Sequence, residues 1–332
     1  MHRFGRPALL AVTALALAAC SVEQPENAPP GDAAAADCGP GRDYLIGMSQ
    51  ANNAEPYREV MNTDIETAAE AVDGFEVNVA DAAQDNSKQV ADVENFITQQ
   101  VDLLIISPNE AAPLTAVVAK AYDAGIPVIV LDRKVEGDKY TAFIGADNTE
   151  IGRQVGEYYA TTLLPQGGKV LEIAGLPGST PAAERAEGFR KGIASNPAIE
   201  IVASQPGDWL RDKGQAVADA LLKAHPDANA VYSHNDPMAE GAYLAADAAG
   251  RAGDLAFTGI DALPIPSGGI KAVEQGRLKA TYVYPTGGRE AIDLAKKILV
   301  DCADVPKTTT LETQQVTADN AAQVYTQLGG QS

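Results

Sequence analysis

The sequence predicts an α/β protein built as two doubly wound parallel sheets. Strand and helix patterns alternate along almost the whole folded region, and the alternation runs through twice. Four-residue apolar runs such as Leu103–Ile106 and Val128–Leu131 read as parallel strands covered on both faces. About 290 of the 332 residues follow position 41, enough for two lobes of ordinary size.

The elements follow in order. Tyr44–Met48 is a short apolar strand; Pro56–Val72 carries Tyr57, Val60, Met61, Ile65, Ala68, Ala69 and Val72 at helical spacing and ends at Asp73-Gly74. Phe75–Val79, Leu103–Ile106 and Val128–Leu131 continue as strands, with Ser87–Gln99 and Ala111–Ala124 as the helices between them. Thr149–Leu164 is helical, followed by strand Val170–Ile173, helix Pro181–Ala194 and strand Ile199–Ala203. The second run gives helix Asp212–Ala224, strand Ala230–Ser233, helix Met238–Ala249 and strand Leu255–Gly259. It closes with Pro266–Gln275, Lys279–Tyr284 and Gly287–Val300.

Ahead of the folded region the chain reads as export machinery. Arg3 and Arg6 precede the apolar run Ala8–Ala19, which is too short to span a bilayer as a stable helix. Leu17-Ala18-Ala19-Cys20 is then expected to be a lipobox, with residues 1–20 a signal peptide and Cys20 the lipidated residue. Residues 21–41, rich in Ala, Pro, Gly and acids without large apolar side chains, read as a flexible tether. The expected location is the cell envelope, lipid-anchored, with the membrane touched through the anchor alone. Two further cysteines, Cys38 and Cys302, favour a disulfide in an exported chain, the alternative being two separate thiols.

Forty-five acids against 25 bases give a net charge of −20, which argues against nucleic acid as a partner. No GxSxG, HExxH or GxGxxG occurs, and His234-Asn-Asp has no ligand partners at metal spacing, so no enzyme, cofactor or metal site is expected. The Gly175–Thr180 loop reads equally well as an anion cradle or a plain strand-to-helix turn.

In doubly wound sheets ligands bind at the carboxyl ends of the strands. Those ends here carry Asp, Asn and Arg together with aromatic rings, a set suited to a neutral polyol. Each hydroxyl both donates and accepts, so carboxylate and guanidinium satisfy it from two sides, while a ring face covers the sugar's apolar face. Trp209, the one tryptophan, stands at such an end. Asp236 and Pro237 read instead as a helix N-cap and first-turn proline.

From Tyr44 to about Thr317 the chain resembles the type I periplasmic sugar-binding proteins of ABC transporters, the group that includes ribose- and galactofuranose-binding proteins. The resemblance is carried by LLIISP at 103–108, AGIPVIVLDR at 124–133, ADN at 146–148, SQPGDW at 204–209, AHPDANAVYSHNDPMAEGA at 224–242 and GIDALP at 259–264. It implies two Rossmann-like lobes joined by three crossover strands, near Ala146–Asp147, Tyr284–Pro285 and Lys307–Thr308. The first lobe is then 43–146 plus 285–307 and the second 147–284 plus 308–328, with Cys38 and Cys302 beside the same lobe.

The resemblance also implies sugar contacts at Asn53, Asp132, Arg133, Trp209, Asn235, Asp261 and Tyr284. Two departures stand out: Ala183 where the ribose proteins have Arg, and Glu55-Pro56 where they have paired Phe. Tyr57-Arg58 resembles the galactofuranose type and is expected to supply the missing groups. The implied function is capture of a monosaccharide by hinge closure and delivery, as a monomer, to an ABC permease with its ATPase. The alternative is presentation of the closed form to a sensor kinase or chemoreceptor. A repressor of the same fold would need a helix-turn-helix and basic charge where this chain has the lipobox and an acidic tether.

Overall fold

The computed structural model describes residues 38–330. The first run comprises β1 (Tyr44–Gln50), α1 (Pro56–Glu70), β2 (Phe75–Asp81), α2 (Asn86–Gln99), β3 (Leu103–Ile106), α3 (Ala111–Asp123), β4 (Val128–Leu131) and β5 (Ala142–Ala146). The second comprises α4 (Asn148–Tyr158), β6 (Gly168–Ala174), α5 (Thr180–Ile193), β7 (Ile199–Pro206), α6 (Arg211–Ala224), β8 (Ala230–Ser233), α7 (Asp236–Ala248), β9 (Ala256–Thr258), α8 (Gly269–Glu274) and β10 (Thr281–Tyr282). The chain then returns for α9 (Gly288–Leu299) and β11 (Thr308–Leu311) and ends on β12 (Gln315–Val316) and α10 (Ala321–Gln327).

One lobe holds a parallel sheet of order β11-β5-β4-β3-β1-β2, the other a parallel sheet of order β7-β6-β8-β9. β10 and β12 form a short antiparallel pair, and bridges Thr258↔Ala280 and Asp261↔Val283 join the β10 segment to β9. Every residue of β3 and β4 is fully buried, because helices cover both faces of that sheet. Ile46 and Met48 pack with Met61, Ile65 and Ile292 on one face, while Leu104 and Ile106 pack with Val93, Phe96 and Leu114 on the other.

β11 differs from the expectation that placed 308–328 in the second lobe. Thr308–Leu311 pairs in parallel with Phe143–Ala146 and so belongs to the first lobe's sheet; the third crossing falls after Leu311. A β-branched Thr-Thr-Thr run is well suited to covering the open edge of β5.

α4 and α5 pack almost backbone to backbone. A Cβ at Gly152, Gly156, Gly188 or Gly192 would come within 2.1–2.4 Å of a carbonyl on the facing helix, so only glycine permits this approach. It sets the start of α4 against the first turns of α5, which matters for the site below.

Cys38 and Cys302 form a disulfide with Cα atoms 5.6 Å apart, closing 264 residues of sequence. Gly39 N–H donates to Leu299 O beside it, and the Tyr44 hydroxyl reaches the same carbonyl. Replacing both cysteines by serine should lower the unfolding free energy by about 2–5 kcal/mol, since the cross-link restricts the unfolded chain. A denaturant midpoint equal to the parent's would show that it does not.

Candidate functional site

A narrow cavity with about 20 Å³ of free space lies between the two sheets' carboxyl ends, lined by Glu55, Tyr57, Arg58, Asp132, Arg133, Pro181, Arg185, Trp209, Asn235, Asp261 and Tyr284. Each comes from a loop at a strand's carboxyl end or from the first turns of the helix that follows. Two lobes close over it by direct contact. Ala111 N–H donates to Gly178 O (3.0 Å), Lys134 N–H to Thr180 Oγ1 (3.0 Å) and Gln84 Nε2 to Asp208 O (3.2 Å), and Lys134 pairs with Glu184 at 2.6 Å. A larger pocket of about 240 Å³ on the hinge side shares Asp261 and Tyr284 but not Arg58, Arg133 or Arg185.

The first lobe supplies an ion-paired wall. Arg58 Nη1 sits 2.7 Å from both Asp132 Oδ2 and Ser107 Oγ, and Arg133 Nη1 donates to Asn109 O at 3.0 Å. Burial alone would raise the Asp132 carboxyl; Arg58, Arg133 and the Tyr284 hydroxyl hold it below the usual carboxylate range. Burial and the neighbouring Arg58 charge bring Arg133 down to about 10. Asp132 adopts a left-handed backbone (φ +67°), a conformation aspartate tolerates better than most residues.

Tyr57 and Tyr284 lie ring beside ring, centroids 5.4 Å apart and tilted 32°. Tyr57 OH donates to Pro285 O (3.0 Å) and Tyr284 OH to Asp132 Oδ1 (2.6 Å). Both phenols are held un-ionised by burial and by the Asp132 charge.

From the second lobe come Trp209, Asn235, Asp261 and Arg185. Asp208 and Trp209 are both left-handed (φ +53° and +71°), a turn that folds the indole onto Gly175. A Cβ at Gly175 would fall 2.0 Å from the indole ring, so this glycine is a seat for Trp209, which accounts for a glycine in the 175–180 loop without any anion. Asn235 Nδ2 donates to Trp209 O and its Oδ1 caps Met238 N–H.

The N-cap of α7 is therefore Asn235, and the expectation that Asp236 caps it is corrected. Asp236 is the first helical residue, and its carboxyl, pushed up to about 7 by burial, accepts from Thr281 Oγ1 and Ala262 N–H. That grip holds the loop bearing Asp261, whose own backbone has φ +137°.

Two expectations about site residues are corrected by the placement of the chain. Asn53 is exposed and accepts from Asn62 Nδ2, outside the cavity. Asn52 turns inward instead: its Oδ1 closes an Asx turn on Ala54 N–H and its Nδ2 holds Glu55 at 2.7 Å, so Glu55 is the cavity residue of that loop.

The arginine expected to be missing at Ala183 is present as Arg185. Pro181 and Arg185 stand one helical turn apart on the buried face of α5, while Ala183 faces away and is exposed. Arg185 Nε donates to Asn148 Oδ1 at 2.8 Å and its Nη1 to His234 O, and its Cζ lies 4.4 Å from the Tyr284 ring centroid. The remaining site residues read from sequence (Tyr57, Arg58, Asp132, Arg133, Trp209, Asn235, Asp261 and Tyr284) all border the cavity.

His234 lies one layer behind. Its Nδ1 accepts from Gly175 N–H (3.2 Å) and its Nε2 faces Glu172 at 3.3 Å; burial keeps it neutral. Among the described residues no group of three or more His, Cys, Asp or Glu is arranged to hold a metal ion.

Three buried polar atoms on cavity residues have no hydrogen-bond partner: Arg58 Nε, Trp209 Nε1 and Asp261 Oδ2. Buried polar atoms are rarely left so, and here two donors and one acceptor border the same small volume.

Two Rossmann-like lobes meeting at a charged and aromatic cavity define a cleft-binding protein of the periplasmic type. A family model described as a periplasmic binding protein domain matches residues 46–301, and the chain belongs to that family, among its type I sugar-binding proteins. The chain is 31% identical to the ribose import binding protein of Bacillus subtilis (strain 168) over 296 residues, 89% of this chain and 90% of that one. It is 32% identical to the galactofuranose-binding protein of Escherichia coli (strain K12), covering 77% and 82% of the two chains. Among solved structures, the fructose-binding periplasmic domain of a hybrid two-component system superposes with a TM-score of 0.83 at 45% identity, covering 86% of this chain and 94% of that one.

Proposed function

We propose that this chain is the substrate-binding lipoprotein of a sugar importer, taking a neutral monosaccharide into the interlobe cavity by hinge closure. The three unpartnered atoms carry the reading: Arg58 Nε and Trp209 Nε1 need acceptors, Asp261 Oδ2 needs a donor, and a sugar hydroxyl is both. Its three arginines are mixed with three carboxyl groups, so it is not the purely basic pocket an anionic ligand favours. Because both lobes contribute contacts, a bound sugar favours the closed state and no covalent chemistry is required of it.

Relatives named for sugar import and sugar binding support the same assignment. Cys20 lies outside the described residues and is the proposed lipidation site, with the cell envelope the location; the proposed tether is shortened from 21–41 to 21–37, because Cys38 and Gly39 are bonded to the folded body. The proposed partners are a permease and its ATPase, met by a monomer. A sensory role is favoured by one observation, the 45% identity to a domain of a two-component system. Sugar-stimulated ATPase activity on adding the chain to the permease complex supports transport; a response only with a sensor kinase supports signalling.

The primary test is a panel of pentoses, hexoses and polyols in both ring forms, read by Trp209 fluorescence and by melting temperature. A true ligand at 100 times its Kd should add about 2.7 kcal/mol of stability. If nothing in the panel moves either signal, the sugar assignment fails.

A further inference from the structure

A buried chain of hydrogen bonds crosses the cavity floor from lobe to lobe. Arg58 Nη1 meets Asp132 Oδ2 (2.7 Å), Tyr284 OH donates to Asp132 Oδ1 (2.6 Å), Asn148 Nδ2 donates to Tyr284 OH (3.2 Å), and Arg185 Nε donates to Asn148 Oδ1 (2.8 Å). All five side chains are buried. Asn148 alone among them does not border the cavity.

Its position is fixed from both sides. Asn148 is the first residue of α4, directly after Asp147, whose side chain caps that helix, and the glycine-mediated contact of α4 with α5 brings it against Arg185. Its amide spends its oxygen on a guanidinium and its nitrogen on a phenol oxygen already committed as a donor to Asp132. The reverse orientation would set NH2 against guanidinium, so only one amide orientation satisfies both neighbours.

We infer that Asn148 is a positioning residue for ligand binding. By clamping Arg185 to Tyr284 it fixes the second lobe's guanidinium relative to the Asp132–Arg58 wall of the first, and so sets the spacing of the two halves of the cavity in the closed state. Without the clamp Arg185 keeps its bond to His234 O and its contacts with the Tyr284 and Trp209 rings but loses the hydrogen bond that fixes Nε, so the ligand must complete its ordering at the expense of affinity. The inference rests on the cavity being the sugar site.

The test is a double-mutant cycle on ligand affinity, by calorimetry on the full exported chain, using whichever panel sugar gives the largest melting shift. Asn148→Ala and Arg185→Lys should each weaken binding about tenfold, and the double variant by little more than either alone, because both break one clamp. Asn148→Ala combined with Asn235→Ser, whose side chain bonds Trp209 O and Met238 N–H and none of the five, should instead lose the product of the single effects.

Multiplying losses for Asn148 with Arg185 would overturn the inference and leave Asn148 a packing residue. Should Asn148→Ala fail to fold, Asn148→Asp enters the same cycle; it keeps an acceptor for Arg185 and loses the donor to Tyr284, and additivity there overturns the inference equally. A parent protein that binds no sugar of the panel defeats the sugar reading and this inference together, whereas a binding parent with additive losses defeats the inference alone.

Discussion

Asp261→Asn should raise the melting temperature of the sugar-free protein while weakening sugar binding about 100-fold. Asp261 Oδ2 is buried without a partner, and burial, reinforced by the Asp236 charge, pushes the carboxyl well above its ordinary range. Glu55 and Asp132 push the same way; Arg185 opposes them and does not prevail. An unsatisfied buried charged acceptor destabilises by about 1–3 kcal/mol or more, and the amide removes the charge at nearly constant shape.

The sign follows from linkage. A carboxyl whose folded pKa lies above its unfolded value contributes stability that is fully present below about pH 4 and lost as pH rises through the folded pKa. The Asn variant has no such loss, so its melting advantage should widen as the pH rises from about 4 into the range above neutrality. The same substitution deprives a sugar hydroxyl of a carboxyl oxygen. Thermal scans across that pH range, paired with titration of the sugar, read both effects; an advantage that shrinks with rising pH refutes the account of Asp261.

Arg58→Leu should act in the opposite sense, destabilising the fold by about 3–5 kcal/mol as well as abolishing binding. Asp132 is 3% exposed, and its charge at neutral pH depends on the guanidinium 2.7 Å away. Removing Arg58 strands that carboxylate in a buried wall with Arg133, the Tyr284 hydroxyl and a long bond from Ser107 Oγ to face it. Adding Asp132→Asn to the same protein should recover much of the stability without restoring binding, because the stranded charge is what destabilises. Urea midpoints of the three proteins decide the matter, and a double variant no more stable than Arg58→Leu alone contradicts it.

The two carboxylates thus differ in what they serve. Asp132 is satisfied by the protein and holds the wall in place, while Asp261 is left open toward the ligand. That difference was not legible in the sequence, where both close a strand and open a loop. What was legible is the set of strand ends: Leu-Leu-Ile-Ile and Val-Ile-Val-Leu admit one reading, and Asp132, Arg133, Asn235 and Asp261 fall at such ends wherever the strand boundary is drawn within a residue or two.

β5 and β11 escaped because Ala-Phe-Ile-Gly-Ala is short and contains glycine, and Thr-Thr-Thr-Leu is a half-exposed edge. Arg185 escaped because it sits inside α5, where a charged residue reads as solvated surface. The available signal was its spacing from Pro181 along the face that also carries Gly188 and Phe189, which packs inward. Asn52 and Asn53 are chemically identical neighbours, and only the Asx turn decides which one faces inward.

The Cys38–Cys302 bond has a mechanical consequence for a protein held at a membrane by the proposed N-terminal lipid. A pull arriving at Cys38 from its N-terminal side passes through sulfur into the segment after α9, which is packed on α1. It therefore bypasses β1, an interior strand between β3 and β2 whose peeling would split the first lobe's sheet. In a chain so anchored, the strand that delivers Glu55, Tyr57 and Arg58 to the cavity would stay unloaded, and a pull arriving at Cys38 would be mechanically decoupled from occupancy of the cleft.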